Sequence, residues 1–258
     1  MKFNPFNLNL ALTTITMTTN PLSLSLLRLL QFTSPSLPIG AYSYSEGIEY
    51  LCYKETIQTE LQLCDWLKNE MRFGFIINET AISLRAYQAA IAGDLAKLVY
   101  WNNWLSATRE SEEVRLASWQ MGQSLIKLWE QLPSKQLTWD SQLKVSALMP
   151  SAKDNAQGQG CNYAIAFGIV AASLEIDSSD TAIGYIYSWL ANLVSAAVRA
   201  VPLGQTVGQR IIFTLSEEIA NSSQLAFQRQ DRELEWCGWG SSLASANHEI
   251  QYSRLFRS

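Results

Sequence analysis

The sequence has little of what most metal sites and enzyme active sites are built from. Its 258 residues contain one histidine and four cysteines, and no two cysteines form a Cys-x-x-Cys pair. These counts argue against a disulfide framework and a zinc ribbon, and they exclude a site built on several imidazoles of one chain. The cysteines are therefore expected to be free thiols in a reducing compartment, which predicts a cytoplasmic protein.

An excess of basic charge is also missing. The chain carries 19 Lys and Arg against 23 Asp and Glu, for a formal net charge of -4 and a pI of ≈ 5.2. This balance argues against a general nucleic-acid binder, which normally presents a basic face. Hydrophobic residues make up 48% of the chain, enough to fill the core of a globular domain of this length.

No apolar run is long and pure enough to predict a membrane span. Residues 181–198 carry no charge, but Tyr185, Asn192 and Ser195 interrupt them. The run at 161–174 is shorter than the roughly 20 residues that a bilayer requires. We expect these two segments to form a buried helical hairpin instead.

Strand alternation is hard to find, and helical spacing dominates the chain. The prediction is an all-α, single-domain bundle of about eight to ten helices, with a flexible leader at 1–20, a helical domain at 21–230 and a C-terminal partner-binding tail at 231–258. Met17 is a second candidate start. One helix is expected to begin at a capping box formed by Ser43 and Glu46. The other predicted helices span residues 22–32, 58–75, 78–92, 95–107, 109–131, 137–149, 161–174, 180–199 and 205–230.

No pattern predicts a catalytic or cofactor site. The glycines of residues 203–210 lack a Walker lysine and a preceding strand, so they do not indicate a nucleotide site. Adjacent acids such as Glu112 and Glu113 are typical of solvated helix faces. One enzymatic alternative stays open, a hydrolase or lyase that uses a buried carboxylate pair inside the bundle.

Polar residues beside helix breaks stand out instead. Pro202 ends one helix and Gly204 lets the chain turn back. Arg199 and Arg210 flank this turn, and Gln205 follows it. These side chains either cap helix ends within the protein or dock onto carboxylates and backbone groups of a partner.

Two further segments carry charged side chains. Arg109 and Glu113 are spaced to pair across one helical turn, and Gly122, further along that predicted helix, indicates close packing against another element. At the C-terminus, residues 254–257 mix arginines with Leu255 and Phe256, a combination that interfaces favour. This segment either folds on binding a partner or docks on its own domain.

In this order along the chain, these segments resemble the UreF family of urease accessory proteins. The resemblance runs from about Leu26 to Ser258. It rests on five motifs: Leu30-Gln-Phe-x4-Leu37-Pro-Ile-Gly40-Ala-Tyr42-x2-Ser45-x-Gly47-x-Glu49, Arg109-Glu-x2-Glu113-Val-Arg115-x6-Gly122, Asn162-Tyr-x3-Phe167-Gly168, Ala197-Val-Arg199-Ala-Val-Pro-Leu-Gly-Gln205-x2-Gly208-Gln-Arg210 and Arg254-Leu-Phe-Arg-Ser258.

The resemblance implies an all-helical, non-catalytic scaffold that forms a homodimer. It implies binding to the accessory protein UreD, also called UreH, and recruitment of the GTPase UreG, with no nucleic-acid or membrane partner. The assembly would insert nickel into the urease apoenzyme under GTP control, so nickel would pass in transit and no cofactor would be bound tightly. The positions expected to bind partners are Pro38, Gly40, Tyr42, Ser45, Glu49, Arg109, Glu113, Arg115, Arg199, Gln205, Arg210, Arg254, Leu255, Phe256 and Arg257.

Three positions depart from the family pattern. Tyr44 and Asn162 stand where members often have histidine, and Val207 stands where they often have aspartate. Nickel ligation by those histidines is thus not open to this chain. Any nickel passage is expected to use carboxylates, backbone carbonyls or water, which bind nickel less well than imidazole does.

Overall fold

A computed structural model describes residues 21–109, 111–132, 148, 160–234 and 239–257. Within these ranges the chain forms 11 α-helices and no strand, which confirms the all-α prediction. The predicted leader lies outside the described residues, as does the helix predicted at 137–149 apart from Leu148. The helices are α1 (Pro21–Phe32), α2 (Ile48–Tyr53), α3 (Glu60–Phe73), α4 (Ile76–Ala92), α5 (Leu95–Thr108), α6 (Glu112–Gln131), α7 (Tyr163–Ser173), α8 (Ser178–Ala200), α9 (Gln205–Thr214), α10 (Ser216–Gln228) and α11 (Trp239–Glu249).

The capping box predicted at Ser43 and Glu46 is wrong. Ser43 instead ends a short 3-10 turn, Ala41–Ser43, and α2 begins only at Ile48. Glu46 and Gly47 have φ angles of 49° and 82°, in the left-handed region. A right-handed helix cannot run through such backbone, so its start is delayed until after Gly47.

The helix predicted over 205–230 is two helices. The break falls at Leu215, whose φ and ψ of -90° and 5° lie outside helical values. Ile211, Leu215 and Ile219 are all buried, so the four-residue spacing that suggested one helix is kept across the break. This break and α11, which lies in the predicted tail, raise the helix number above the prediction.

The core is centred on α4 and α7. Residues 164–172 of α7 are all buried, and so are most residues of α4. Helix α6 approaches the start of α7 so closely that a Cβ on Gly122 would lie 2.1 Å from the carbonyl oxygen of Cys161. The close packing predicted at Gly122 is therefore confirmed, because any side chain there would collide with backbone.

Helix α8 contacts several others, including α1, α2, α4, α9 and α10. By length and composition it is the one helix of the described residues that could cross a membrane, yet 61% of its most apolar stretch is buried inside the protein. Its apolar residues are thus part of the core, as expected for one of the two segments that were predicted to be buried.

The cysteines that the structure describes, Cys52, Cys64 and Cys161, are free thiols. Burial raises the pKa of Cys161 to about 12 and that of Cys52 to about 11. Both thiols are therefore protonated at neutral pH, as expected of structural rather than reactive cysteines.

Candidate partner-binding site

The loop between α1 and α2 carries the first motif and forms one wall of the site. Pro38 and Tyr42 on this loop are exposed, Gly40 is half-buried and Ser45 is buried. Gly47 has a positive φ and lies against α11, where an added Cβ would be 2.7 Å from the backbone nitrogen of Ser245. Glycine is thus needed there both for the backbone geometry and for the approach of α11.

Glu49, on α2, holds the C-terminal segment. Its carboxylate accepts hydrogen bonds from the backbone N–H of Leu255 at 2.6 Å and of Phe256 at 2.9 Å. The same carboxylate lies 3.0 Å from Nε2 of His248 on α11. Glu49 is buried, and these bonds to its charge are the strong kind that a buried carboxylate needs.

Glu113, at the start of α6, forms a second wall. Its carboxylate accepts a hydrogen bond of 2.7 Å from Arg254, and its backbone N–H donates to the Glu249 carboxylate at 3.0 Å. Helix α6 starts there because Ser111 caps it, accepting from the N–H of Val114. The positive end of the helix dipole at this N-terminus also stabilises the negative charges of Glu113 and Glu249.

Arg199, in the last turn of α8, forms a third wall. Its guanidinium donates to the carbonyl of Tyr42 at 2.8 Å and lies 4.4 Å from the centre of the Phe256 ring. The backbone N–H of Arg257 donates to the Ser43 carbonyl at 2.8 Å. Phe256 is buried under these contacts, so residues 254–257 dock on their own domain, which was one of the two alternatives left open.

Docking leaves other side chains of this region in solvent. Leu255 is 65% exposed, and Tyr252 and Tyr53 are exposed beside it. An open groove of ≈ 430 Å³ runs here between α2 and the C-terminal segment, with Cys52 and Arg199 also in its lining. Apolar and aromatic side chains around a concave surface are typical of protein interaction sites.

Tyr44 links the first motif to α6 and α8. Its hydroxyl donates to Gln120 at 2.9 Å, and its carbonyl accepts from Asn192 at 3.1 Å. Burial raises the pKa of this hydroxyl, although the positive charge of Arg257 opposes the shift. Tyr44 is thus a neutral structural residue that supports the loop.

Asn162 is buried at the start of α7. Its side-chain amide donates to Ser106 at 2.7 Å and to Asn102. Among the residues that the structure describes, no group of three or more His, Cys, Asp and Glu side chains is arranged to hold a metal ion.

Arg109 does not pair with Glu113, and that prediction is wrong. Arg109 caps the end of α5, before α6 begins, and its guanidinium forms a buried ion pair with Glu79 of α4. Helical spacing cannot apply across the break between the two helices. Arg115, which is on α6, lies over the ring of Trp119 at 5.7 Å.

Gln205 and Arg210 lie on a different surface. Arg210 on α9 donates two hydrogen bonds to Glu60 at the start of α3, at 2.6 and 2.5 Å, and both it and Gln205 are exposed. The hydrogen bond from Arg210 lowers the pKa of Glu60. The structure therefore brings Arg199, the first motif, Glu113 and the C-terminal segment together, but it separates Gln205 and Arg210 from them.

A cavity of ≈ 110 Å³ lies beneath the first motif, and its lining includes two carboxylates, Glu46 and Glu79. Each is engaged by a donor: Glu79 by Arg109, and Glu46 by the indole N–H of Trp189 at 2.8 Å. A carboxylate held by a donor is stabilised in its charged form. This arrangement does not favour the alternative of an acid and base pair for hydrolysis.

His248 and Glu249 were not predicted to belong to the site. A signal for α11 was present, since Ser241, Ala244, Ser245 and His248 recur at the three- and four-residue spacing of a helix face. Their places beside Glu49 and Glu113 depend on contacts across more than a hundred residues. Spacing along the chain does not contain that information.

The fold and the site define an all-α protein in which polar side chains from three elements hold the chain's own C-terminal segment. The sequence model of the UreF family matches residues 57–216. The urease accessory protein UreF of Nostoc sp. (strain PCC 7120 / SAG 25.82 / UTEX 2576) is 45% identical over 232 residues, covering 90% of this chain and 95% of the relative. UreF of Picosynechococcus sp. (strain ATCC 27264 / PCC 7002 / PR-6) is 45% identical over 228 residues, covering 88% and 97%. UreF of Methylibium petroleiphilum (strain ATCC BAA-1232 / LMG 22953 / PM1) is 36% identical over 234 residues, covering 91% and 94%.

The chain belongs to the UreF family of urease accessory proteins. It is accordingly a urease accessory protein and not an enzyme.

Proposed function

We propose that this protein is a cytoplasmic scaffold that works as a homodimer in urease maturation. It binds UreD (UreH) and the GTPase UreG, and the assembly inserts nickel into the urease apoenzyme in a step that GTP controls. Nickel is the cargo of this assembly and passes through it in transit. The proposal rests on family membership together with the docked C-terminal segment.

The single observation that carries the proposal is the way the C-terminal segment is held. Its backbone is bound by Glu49, while Leu255 and Tyr252 face solvent beside the open groove. Because the backbone of this segment is already ordered, binding a partner does not carry the entropy cost of ordering it. A UreD-type partner would therefore meet a preformed surface of aromatic, aliphatic and guanidinium groups.

A second surface is well placed for a second partner. Arg210 is held by Glu60, and Phe213, one turn further along α9, is 82% exposed. An exposed phenylalanine beside a fixed arginine is typical of interface anchors. Because this surface is separate from the C-terminal segment, UreD and UreG could occupy the scaffold at the same time.

Capture of purified UreD tests the proposal. Arg254→Ala should weaken capture because it removes an exposed guanidinium and its bond to Glu113, while the helical circular dichroism stays unchanged. Arg232→Ala, at an exposed arginine of the turn Asp231–Glu233, is the matched control and should bind like the native protein. Equal capture by all three proteins would contradict the proposal, and so would hydrolysis of GTP or urea by the purified chain alone.

A further inference from the structure

The groove between α2 and the C-terminal segment carries a positive charge that the protein itself does not pair. Of the residues that line this groove, Glu49 and Arg199 are charged. Glu49 is buried, and its carboxylate already accepts two backbone N–H groups of the C-terminal segment. Among the described residues, no carboxylate forms an ion pair with Arg199. The guanidinium of Arg199, which is exposed, therefore keeps its charge available at the groove.

This guanidinium is fixed in orientation but only partly used. Its Nε donates to the carbonyl of Ser195 at 3.2 Å, and its Nη2 donates to the carbonyl of Tyr42 at 2.8 Å. The ring of Phe256 supports it at 4.4 Å. Because a guanidinium has five N–H groups, the two on Nη1 and the second on Nη2 have no acceptor among the described residues. This free edge suits a carboxylate, which guanidinium groups bind with two parallel hydrogen bonds.

The surroundings of Arg199 add a second unpaired charge and an apolar rim. Arg257, next to Phe256 in the chain, is exposed and forms no ion pair within the part of the chain that the structure describes. Arg254 differs, since its charge is paired with Glu113. The exposed apolar and aromatic side chains along the groove are Tyr53, Tyr252 and Leu255. The groove thus presents positive charge beside apolar surface, in a chain whose formal net charge is -4.

We propose that this groove binds an acidic segment of the protein partner. One carboxylate of that segment lies on the free edge of Arg199, and an apolar side chain beside it packs against Tyr53 and Leu255. Charge complementarity selects this occupant, because Arg199 and Arg257 attract an acidic segment and repel a basic one. The fixed orientation of Arg199 lowers the entropy cost of forming the pair. This inference rests on the proposed function, which supplies UreD as the partner but not the chemistry of the contact.

The rate at which purified UreD associates with the full chain tests the charge requirement. Arg257 docks through its backbone N–H, which donates to Ser43, so Arg257→Glu reverses the charge and keeps that bond. We expect this variant to associate at least about tenfold more slowly than the native protein at low salt. Salt at about 0.5 M shortens the Debye length to about 4 Å and should remove most of the difference.

The matched control is Arg232→Glu. It changes the net charge by the same amount, at an exposed arginine in the turn Asp231–Glu233, which is attached to α4 by the ion pair between Asp231 and Arg85. This variant should associate with UreD at the native rate. A purely general effect of net charge would slow both variants equally.

Zero-length cross-linking tests the contact itself. A carbodiimide activates a carboxylate, a nearby lysine amine attacks it to form an amide bond, and the carbodiimide leaves as a urea that carries one carboxylate oxygen. Arg199→Lys and Arg257→Lys keep the positive charge and place an amine at these two positions. In complexes with UreD, we expect mass spectrometry to find the introduced amines joined to Asp or Glu side chains of UreD. Arg232→Lys should give no such product.

Two results would overturn the inference while UreD is still captured. One is equal association rates for Arg257→Glu and Arg232→Glu, and the other is the absence of any link from positions 199 and 257 to an acid of UreD. If Arg199→Lys failed to fold, Arg257→Lys and the rates would still decide. No capture of UreD by the native chain would instead overturn the proposed function, so the two failures are distinguishable.

Discussion

Replacing Glu49 by glutamine tests whether this carboxylate holds the C-terminal segment. The native carboxylate accepts from Leu255, Phe256 and His248 at 2.6, 2.9 and 3.0 Å. Glutamine has nearly the same shape, but one acceptor oxygen becomes an NH2 group that faces a donor. At least one hydrogen bond to a charged group is lost, which contributes about 1.5–3 kcal/mol.

A loss of about 1.5–3 kcal/mol would shift the docking equilibrium by about 10- to 150-fold. Carboxypeptidase release of the last residues reports the undocked fraction, so it should accelerate by that order in Glu49→Gln, with helical content unchanged. Glu55→Gln is the matched control, because it removes the same charge from an exposed position just after α2. Equal release rates in Glu49→Gln and the native protein would refute the assignment.

Three further substitutions test the helix packing and the ion pairs of the fold. Gly122→Ala should lower the free energy of unfolding in urea by about 3 kcal/mol or more, because the added Cβ would lie 2.1 Å from a backbone oxygen. Gly240→Ala is the control and should be neutral or slightly stabilising, because no atom lies nearer than 3.8 Å to its Cβ. Equal losses in the two variants would contradict the close packing at Gly122. Arg109→Ala should cost about 3–5 kcal/mol in thermal unfolding, because its partner would stay buried and unpaired, and a native Tm would argue against a buried pair. Arg72→Ala should change the stability little near neutral pH, because the guanidinium of Arg72 lies in solvent and exposed ion pairs contribute little. The hydrogen bond from Arg72 lowers the pKa of Glu218 from 4.5, so the ion pair stabilises the fold above that pH. The difference in stability between Arg72→Ala and the native protein should therefore shrink as the pH falls below it. A difference that persisted in acid would show that the ion pair is not its source.

Local patterns predicted the helices well. The spacing of Leu22, Leu26 and Leu29 indicated α1, and Gly93 and Asp94 end α4 and cap α5 as local rules require. The break at Leu215 was missed because buried residues keep one spacing on both sides of it. The spacing of apolar residues does not reveal the backbone angles of a single residue, so it could not predict this break.

The site could be predicted only in part. Partner binding by the polar residues beside helix breaks and by the terminal arginines stays a prediction. The structure shows the contacts that Arg199, Arg210 and Arg254 make within the chain. The partners of these residues were not predictable, as Arg109 shows by pairing with Glu79, 30 residues away. His248 was set aside as a catalytic group, and its place between Glu49 and Glu113 follows only from the packing of α11 on α2.

Reconstituted urease activation tests the central claim most directly. Apo-urease is incubated with UreD, UreG, GTP and nickel, with and without this chain, and urease activity is then measured. The account predicts that activation requires the chain and fails with a variant truncated before Arg254, although that variant keeps its helical content. Equal activation without the chain, or with the truncated variant, would contradict the account.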